Sequence, residues 1–279
     1  RGWYWGGAGT VYVRNPDQAL GTFTIAQSPD VVGTGAATVP AELPDGAVLD
    51  HVRIGPGGFL APLAGAAAHW TIRGDLVVEA GGGIDASGRG FGPGEGPGAG
   101  RYDSSGYSGG GSHGGRGGWG HGYRGDGGET YGSVTQPVTL GSGGGRPDSG
   151  AGGGALHLKV AGMLAVDGLI TADASNGSYG GGAGGSLWLE APTITGSGTI
   201  RANGSYGASD PANYGGGGGG RVAIYSRQLA STLKLQAYGA RGWYWGGAGT
   251  IYVRNPDQAL GTLTVAQSPE AVETGAATV

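Results

Sequence analysis

The sequence predicts an all-β chain, a β-solenoid with a long glycine-rich insertion at about residues 88–151. Three observations carry that prediction. Short apolar–polar alternations bounded by Gly, Asn, Asp or Pro recur along the chain, and helix signals are nearly absent. Glycine clusters run into strand-like segments whose first inward residues are Leu156, Leu187, Val222 and Ile251. Their regular interval, about 30 residues, suits one coil of stacked short strands. Residues 241–279 repeat residues 1–39, with 33 of 39 positions identical.

The elements follow in chain order. Within the repeated segment Val11, Phe23 and Ile25 return as Ile251, Leu263 and Val265. Alternate positions therefore keep apolar character while shape varies. The run 59–68 is apolar but is broken by Pro62 and Gly65, and it falls well short of the ~18 residues of a membrane span. Ile84-Asp85-Ala86-Ser87-Gly88 ends a strand in a small-residue turn, and the form recurs at Ile170, Ile200 and Leu235. Glycine then dominates the segment 81–154, and falls on every second residue from Gly88 to Gly100. Each glycine costs roughly 0.5–1 kcal/mol more to order than alanine. Two outcomes follow: the insertion is disordered, or, the favoured expectation, it is ordered by close backbone packing that a Cβ would forbid, as in polyglycine or polyproline-II bundles. Tyr102, Tyr107, Trp119, Tyr123 and Tyr131 would give it a packing surface.

Beyond the insertion the alternation is clear. Leu156, Leu158 and Val160 oppose His157 and Lys159; Leu187 and Leu189 oppose Trp188 and Glu190; Val222 and Ile224 oppose Ala223 and Tyr225. Leu233, Leu235 and Ala237 oppose Lys234 and Gln236, and Ile251 and Val253 oppose Tyr252 and Arg254. One coil cannot bury such a face alone, whereas stacked coils pair their backbones in parallel ladders and line up Leu, Ile and Val inside. At this pitch the segment 1–240 would make about eight coils.

Residues 1–240 read as one complete repeat unit and residues 241–279 as the start of the next. The clusters Trp3-Tyr4-Trp5 and Trp243-Tyr244-Trp245 open each copy. They are expected to seal the junction between units, with stacking on sugar rings as the other use of such rings.

Composition narrows the function. Only 13% of residues are charged, the net charge is −4, and no basic run marks a nucleic-acid or membrane surface. No nucleic-acid partner, membrane insertion or cofactor is expected. With no Cys, disulfides do not staple the fold. Gly106-Tyr107-Ser108-Gly109-Gly110 matches a nucleophile elbow, but lies in a glycine tract without the strand-to-helix frame. Gly120–Gly125 matches a nucleotide-binding pattern, again without its βαβ unit. The five His residues lack metal-ligand spacing. Asp126 and Glu129 are weak calcium candidates at a turn. Arg73-Gly74-Asp75 and Arg124-Gly125-Asp126 are read as chance matches to an integrin tripeptide. Asn176-Gly177-Ser178 and Asn203-Gly204-Ser205 read as turns that also fit a glycosylation pattern. No catalytic set emerges, and the chain is not expected to be an enzyme.

The runs Gly141–Gly145, Gly152–Leu156, Gly180–Leu189 and Gly215–Tyr225 resemble the glycine-rich repeats of large bacterial surface and secreted proteins. Ile194-Thr195-Gly196-Ser197-Gly198-Thr199-Ile200-Arg201-Ala202-Asn203-Gly204 looks like the coil sequence of filamentous-haemagglutinin-type parallel β-helices. The resemblance covers roughly residues 76–260. It implies a right-handed parallel β-helix, secretion to the cell surface, and a structural or adhesive role. The large insertion and the long, near-exact repeat depart from the adhesin pattern. They favour an extracellular fibre or sheath built from copies of the unit stacked end to end. The alternative is an adhesin stalk that binds polysaccharide through exposed Tyr and Trp.

Overall fold

A computed structural model describes residues 9–27, 40–207 and 213–273. The chain opens with β1 (Gly9–Val13) and β2 (Thr22–Ala26), then β3 (Ala41–Leu43) and β4 (Val48–Leu49). Next come β5 (His51–Ile54), β6 (Phe59–Pro62), β7 (Ala67–Ile72), β8 (Leu76–Val78) and β9 (Gly83–Asp85). The insertion follows, with one short 3-10 turn at His121–Tyr123. Beyond it lie β10 (Ala155–Val160), β11 (Met163–Val166), β12 (Leu169–Thr171) and β13 (Ser186–Glu190). The series ends with β14 (Thr193–Thr195), β15 (Thr199–Arg201), β16 (Arg221–Tyr225), β17 (Gln228–Leu229), β18 (Lys234–Gln236), β19 (Thr250–Arg254) and β20 (Thr262–Thr264). A single-turn helix α1 (Pro269–Glu273) closes the described chain, its Ala271 N–H donating to Ser268 Oγ at 3.3 Å.

The strands enter three sheets in rotation, and from β2 to β16 each pairs in parallel with the strand three places on. Sheet A runs β1-β2-β5-β8-β11-β14-β17, sheet B runs β3-β6-β9-β12-β15-β18, and sheet C runs β4-β7-β10-β13-β16-β19-β20. Two pairings are antiparallel, β1 with β2 and β19 with β20.

Register explains the alternation in the sequence. In sheet C, Ala68, Leu156, Leu187, Val222 and Ile251 align across five strands, and Trp70, Leu158, Leu189, Ile224 and Val253 align beside them. In sheet B, Leu60, Ile84, Ile170, Ile200 and Leu235 align. In sheet A, Ile25, Ile54, Val78 and Val166 align. These rows meet in one apolar core. Fully burying each such side chain is worth roughly 1.5–3 kcal/mol. A one-residue slip would turn every row to the outside, so the pattern fixes the register.

Counted from β2, the strands before position 241 make five full sets of three and two strands of a sixth, fewer than the eight coils expected from pitch alone. The insertion accounts for the shortfall, since residues 88–151 add no strand to any sheet.

The insertion joins β9 in sheet B to β10 in sheet C, the slot that glycine runs fill between β12 and β13, β15 and β16, and β18 and β19. It lies against those runs. Gly111 N–H donates to Gly181 O (2.8 Å), Gly218 N–H to Gly111 O (2.9 Å), and Gly115 N–H to Gly219 O (2.8 Å). Gly247 N–H reaches Arg116 O (2.7 Å). The runs also bond to one another, Gly153 to Ala183, Gly184 to Gly218 and Gly219 to Gly247. One segment thus bonds to several neighbours at once, which makes a bundle of extended glycine chains. A Cβ on Gly115, Gly153 or Gly217 would overlap the carbonyl of Gly247, Ala172 or Gly182. At such positions the bundle is closed to any other residue by backbone contact, even where φ lies outside the left-handed region.

Candidate functional site

Buried polar side chains pin the glycine bundle to the sheets. His113 is buried between Gly184 O (2.9 Å from Nδ1) and Thr139 Oγ1 (2.8 Å from Nε2). A carbonyl can only accept, so Nδ1 carries the proton and Nε2 accepts from the threonine. Burial pulls the His113 pKa down to about 4, which keeps the ring neutral. Tyr131 OH donates to Leu140 O at 2.6 Å, and burial pushes its pKa up to about 12. Arg221 donates to Tyr131 O and Thr250 Oγ1, tying the insertion to β16 and β19.

The second copy of the aromatic cluster sits on this bundle. Trp243 meets His121 (4.5 Å between centroids), and Tyr244 meets Tyr123 (4.8 Å) and Trp119 (5.9 Å). Trp245 is buried. The opening residues of the second copy therefore rest on the glycine-rich insertion. Trp3, Tyr4 and Trp5 lie outside the described residues.

Asp126 and Glu129 face one guanidinium, Arg116 Nη2, at 3.2 and 3.4 Å. Trp119 Nε1 also donates to Asp126 at 2.6 Å. No cluster of three metal-ligating side chains occurs among the described residues. Ser108 is buried and donates to Gly109 O, and among the described residues no histidine or acid is hydrogen-bonded to its hydroxyl. Asn203 serves its turn, accepting from Tyr238 N–H (2.8 Å) and donating to Gln236 Oε1 (3.2 Å). The two RGD aspartates are engaged locally, Asp75 with Met163 N–H and Asp126 with Arg116.

The repeated hairpin is present twice. β1 pairs with β2, Val11 opposite Thr24, Tyr12 opposite Phe23 and Val13 opposite Thr22. The same pairing recurs in the second copy, Ile251 opposite Thr264, Tyr252 opposite Leu263 and Val253 opposite Thr262. In each copy the tyrosine ring covers the glycine just before the facing strand, Tyr12 over Gly21 and Tyr252 over Gly261. A Cβ there would strike the ring, so glycine and tyrosine are fitted as a pair. The settings differ. The first copy docks through β2 onto β5 in sheet A, and β1 is exposed. The second docks through β19 onto β16 in sheet C, and β20 is exposed.

Two features have no motif in the sequence. Outward on sheet C runs a stack of rings, His69, His157, Trp188, Tyr225 and Tyr252, with His157 flat on Trp188 (3.7 Å, 7°). Its signal lies in the outward positions of successive strands, which the sequence presents singly rather than as a row. The second is Asp50, buried at the edge of sheet A. It accepts from Tyr12 OH (2.6 Å) and Gly21 N–H (3.1 Å) and pairs with Arg73. No local pattern marks it, because the latch gathers four separate segments.

Among the described residues His51 and Asp75 line one open cleft, Nδ1 3.6 Å from Oδ2, and the other open features are strand edges and exposed rings. No family model matches the chain, and neither a characterised protein nor a solved structure is detectably similar to it.

Proposed function

We propose that the chain is a repeat block of an extracellular structural fibre or sheath. In this reading the three rotating sheets form a right-handed parallel β-helix, like the filamentous-haemagglutinin-type coils its sequence resembles. Units spanning positions 1–240 stack end to end, the partner of each unit is another copy, and the assembly lies at the cell surface. One observation carries the reading: the same hairpin stands at both ends of the strand stack, and each copy buries only one of its two strands. An open strand edge bearing apolar side chains is a template for further pairing. The aromatic cluster of Trp243, Tyr244 and Trp245 on the preceding unit's insertion adds a second contact across the same boundary.

Electron microscopy of the native material, with the mass of its dissociated chain, tests the proposal. Long unbranched particles with an axial repeat set by one unit are expected. Isolated short particles under native conditions would reject it. A ladder built from 27.3 kDa chains would reject a covalent tandem array while leaving end-to-end stacking in place.

The adhesin reading draws on a polar cleft of about 330 Å³ lined by Asp173, Arg201, Asn203, Tyr206, Tyr238 and Trp245. Rings beside carboxylate and amide groups suit a sugar. Loss of polysaccharide binding in Tyr206→Ala, with particle length unchanged, would favour it.

A further inference from the structure

We infer that the repeated hairpin is a two-faced adaptor shared by consecutive units. Its first strand closes sheet C of one unit, and its second strand opens sheet A of the next. The inference rests on the reading that units stack end to end, and it names the surface and the partner: a second copy of this repeat unit.

The two copies show complementary halves of one joint. In the first, Ile25 is 0% exposed and Phe23 packs on the core, while Val11 and Val13 stand 59% and 60% exposed. In the second, Ile251 is 9% exposed and Val253 packs on the core, while Leu263 and Val265 stand 52% and 60% exposed. Every one of these apolar positions left open in one copy is covered in the other. Superposing the two settings gives one continuous sheet, β10-β13-β16-β19-β20 followed by β5-β8-β11 of the next unit. The pairing of Phe23 with Val52 and of Ile25 with Ile54 then sets the joint register, Leu263 with Val52 and Val265 with Ile54 of the neighbour.

The faces follow from the antiparallel pairing. Residues directly opposite share a face, and neighbours along a strand alternate. Ile251 and Val253 lie on the side of Thr264 and Thr262; Leu263 lies on the side of Tyr252. Ile251 and Val253 point into the core of the preceding unit. Leu263 and Val265 therefore point the other way, as Phe23 and Ile25 do toward the core of the following unit. The cores of successive units lie on opposite sides of a shared sheet, so the array steps sideways at each joint. A polar latch accompanies the step. Tyr12 OH and Gly21 N–H both reach buried Asp50, and Tyr252 with Gly261 offers the same two donors to Asp50 of the neighbour.

The test is a two-unit chain, the full sequence followed by a second copy of residues 40–279. The chain has no native Cys, so introduced pairs are unambiguous. Thr24→Cys with Arg53→Cys joins residues already paired and is the positive control. Thr264→Cys in the shared hairpin with Arg53→Cys in the second unit probes the joint. Both positions are exposed, so neither core is altered. The expected result is a disulfide within ~2-fold of the control yield, since paired strand positions meet its Cα spacing. Thr262→Cys with the same Arg53→Cys, two residues out of register, should remain unlinked. Adding Leu263→Asp and Val265→Asp to the hairpin should cut the joint yield more than ~10-fold, because it places charge against the neighbour's core. The same pair of changes should leave the unfolding midpoint of the single chain unmoved. Double-length particles in the microscope with no disulfide would overturn the adaptor and leave stacking intact. Absence of double-length particles would overturn both.

Discussion

The strand stack and the glycine bundle hold extended chains together by opposite means. In the stack, Leu156, Leu187 and Val222 fill the space between sheets with side chains, and the backbone ladder runs around them. In the bundle, Gly111, Gly181, Gly218 and Gly247 remove side chains, so that backbone packs on backbone and hydrogen bonds do the joining. One region loses stability when atoms are taken away, the other when they are added. The contrast shows that glycine richness here marks a second kind of core. That core is built on the corner between sheets B and C and is continuous with the strands it borders.

Substitutions in both directions sharpen this contrast most strongly. Leu187→Ala in the stack empties a fully buried site flanked by Leu156 and Val222, and should cost about 2–5 kcal/mol. Gly217→Ala in the bundle adds one methyl group, but that group meets the backbone of Gly181 and Gly182, which cannot rotate aside. Its expected cost is about 3 kcal/mol, at the upper end for overpacking. Denaturant unfolding of the two variants measures both. Equal tolerance of Gly217→Ala and a surface change would break the comparison, because the bundle would then be loose enough to absorb a Cβ.

Acid should act on the bundle through His113. Buried His113 has a pKa near 4 in the fold against an ordinary value of 6.5, so it is neutral when folded and takes up a proton when unfolded. Above about pH 6.5 both states are neutral and the site adds no pH dependence. As pH falls through that value the unfolded state alone gains a proton, and stability declines until the folded ring also protonates near pH 4. The full loss is up to ~3 kcal/mol. His113→Asn keeps the polar pinning and removes the titration. The difference between wild type and variant, followed by thermal unfolding from neutral pH down to that of the folded ring, should appear in that window. Parallel pH profiles for the two proteins would mean that His113 does not titrate with unfolding.

Much of the stack was legible, and of the bundle its close packing but not its pairing. Leu156, Leu187, Val222 and Ile251 announced sheet C because each follows a glycine run and alternates with outward residues. The strands between the hairpin and residue 80 were hidden. β4 is only Val48–Leu49 and β6 is a run of Phe59, Leu60, Ala61 and Pro62, too short or too uniform to show a period. For the bundle, the demand for close approach could be read from the glycines, but not the partners. Gly111 bonds to Gly181 and Gly218, both far along the chain, and a segment without side chains carries no periodicity to point at them. At the hairpin, alternation marked Val11, Phe23 and Ile25 as strand residues. That the two strands serve two different cores emerged only when both copies could be compared in place.

The smallest effect offers the most selective check on the idea of a backbone core. Gly92 lies in the tract where glycine is every second residue, and composition alone would rank it with Gly217. Its surroundings differ. A Cβ on Gly92 would meet only Glu95, its Oε2 at 3.2 Å, the tip of a flexible side chain, and its φ is outside the left-handed range. Gly92→Ala should therefore change stability by less than ~1 kcal/mol, with the reduced freedom of the unfolded chain offsetting a small shift of Glu95. The decisive quantity is its difference from Gly217→Ala under the same denaturant. A gap of about 2 kcal/mol or more places the requirement for glycine in specific backbone contacts. Equal costs at the two sites would instead make the requirement a property of the whole tract, and the bundle would lose its standing as a packed core.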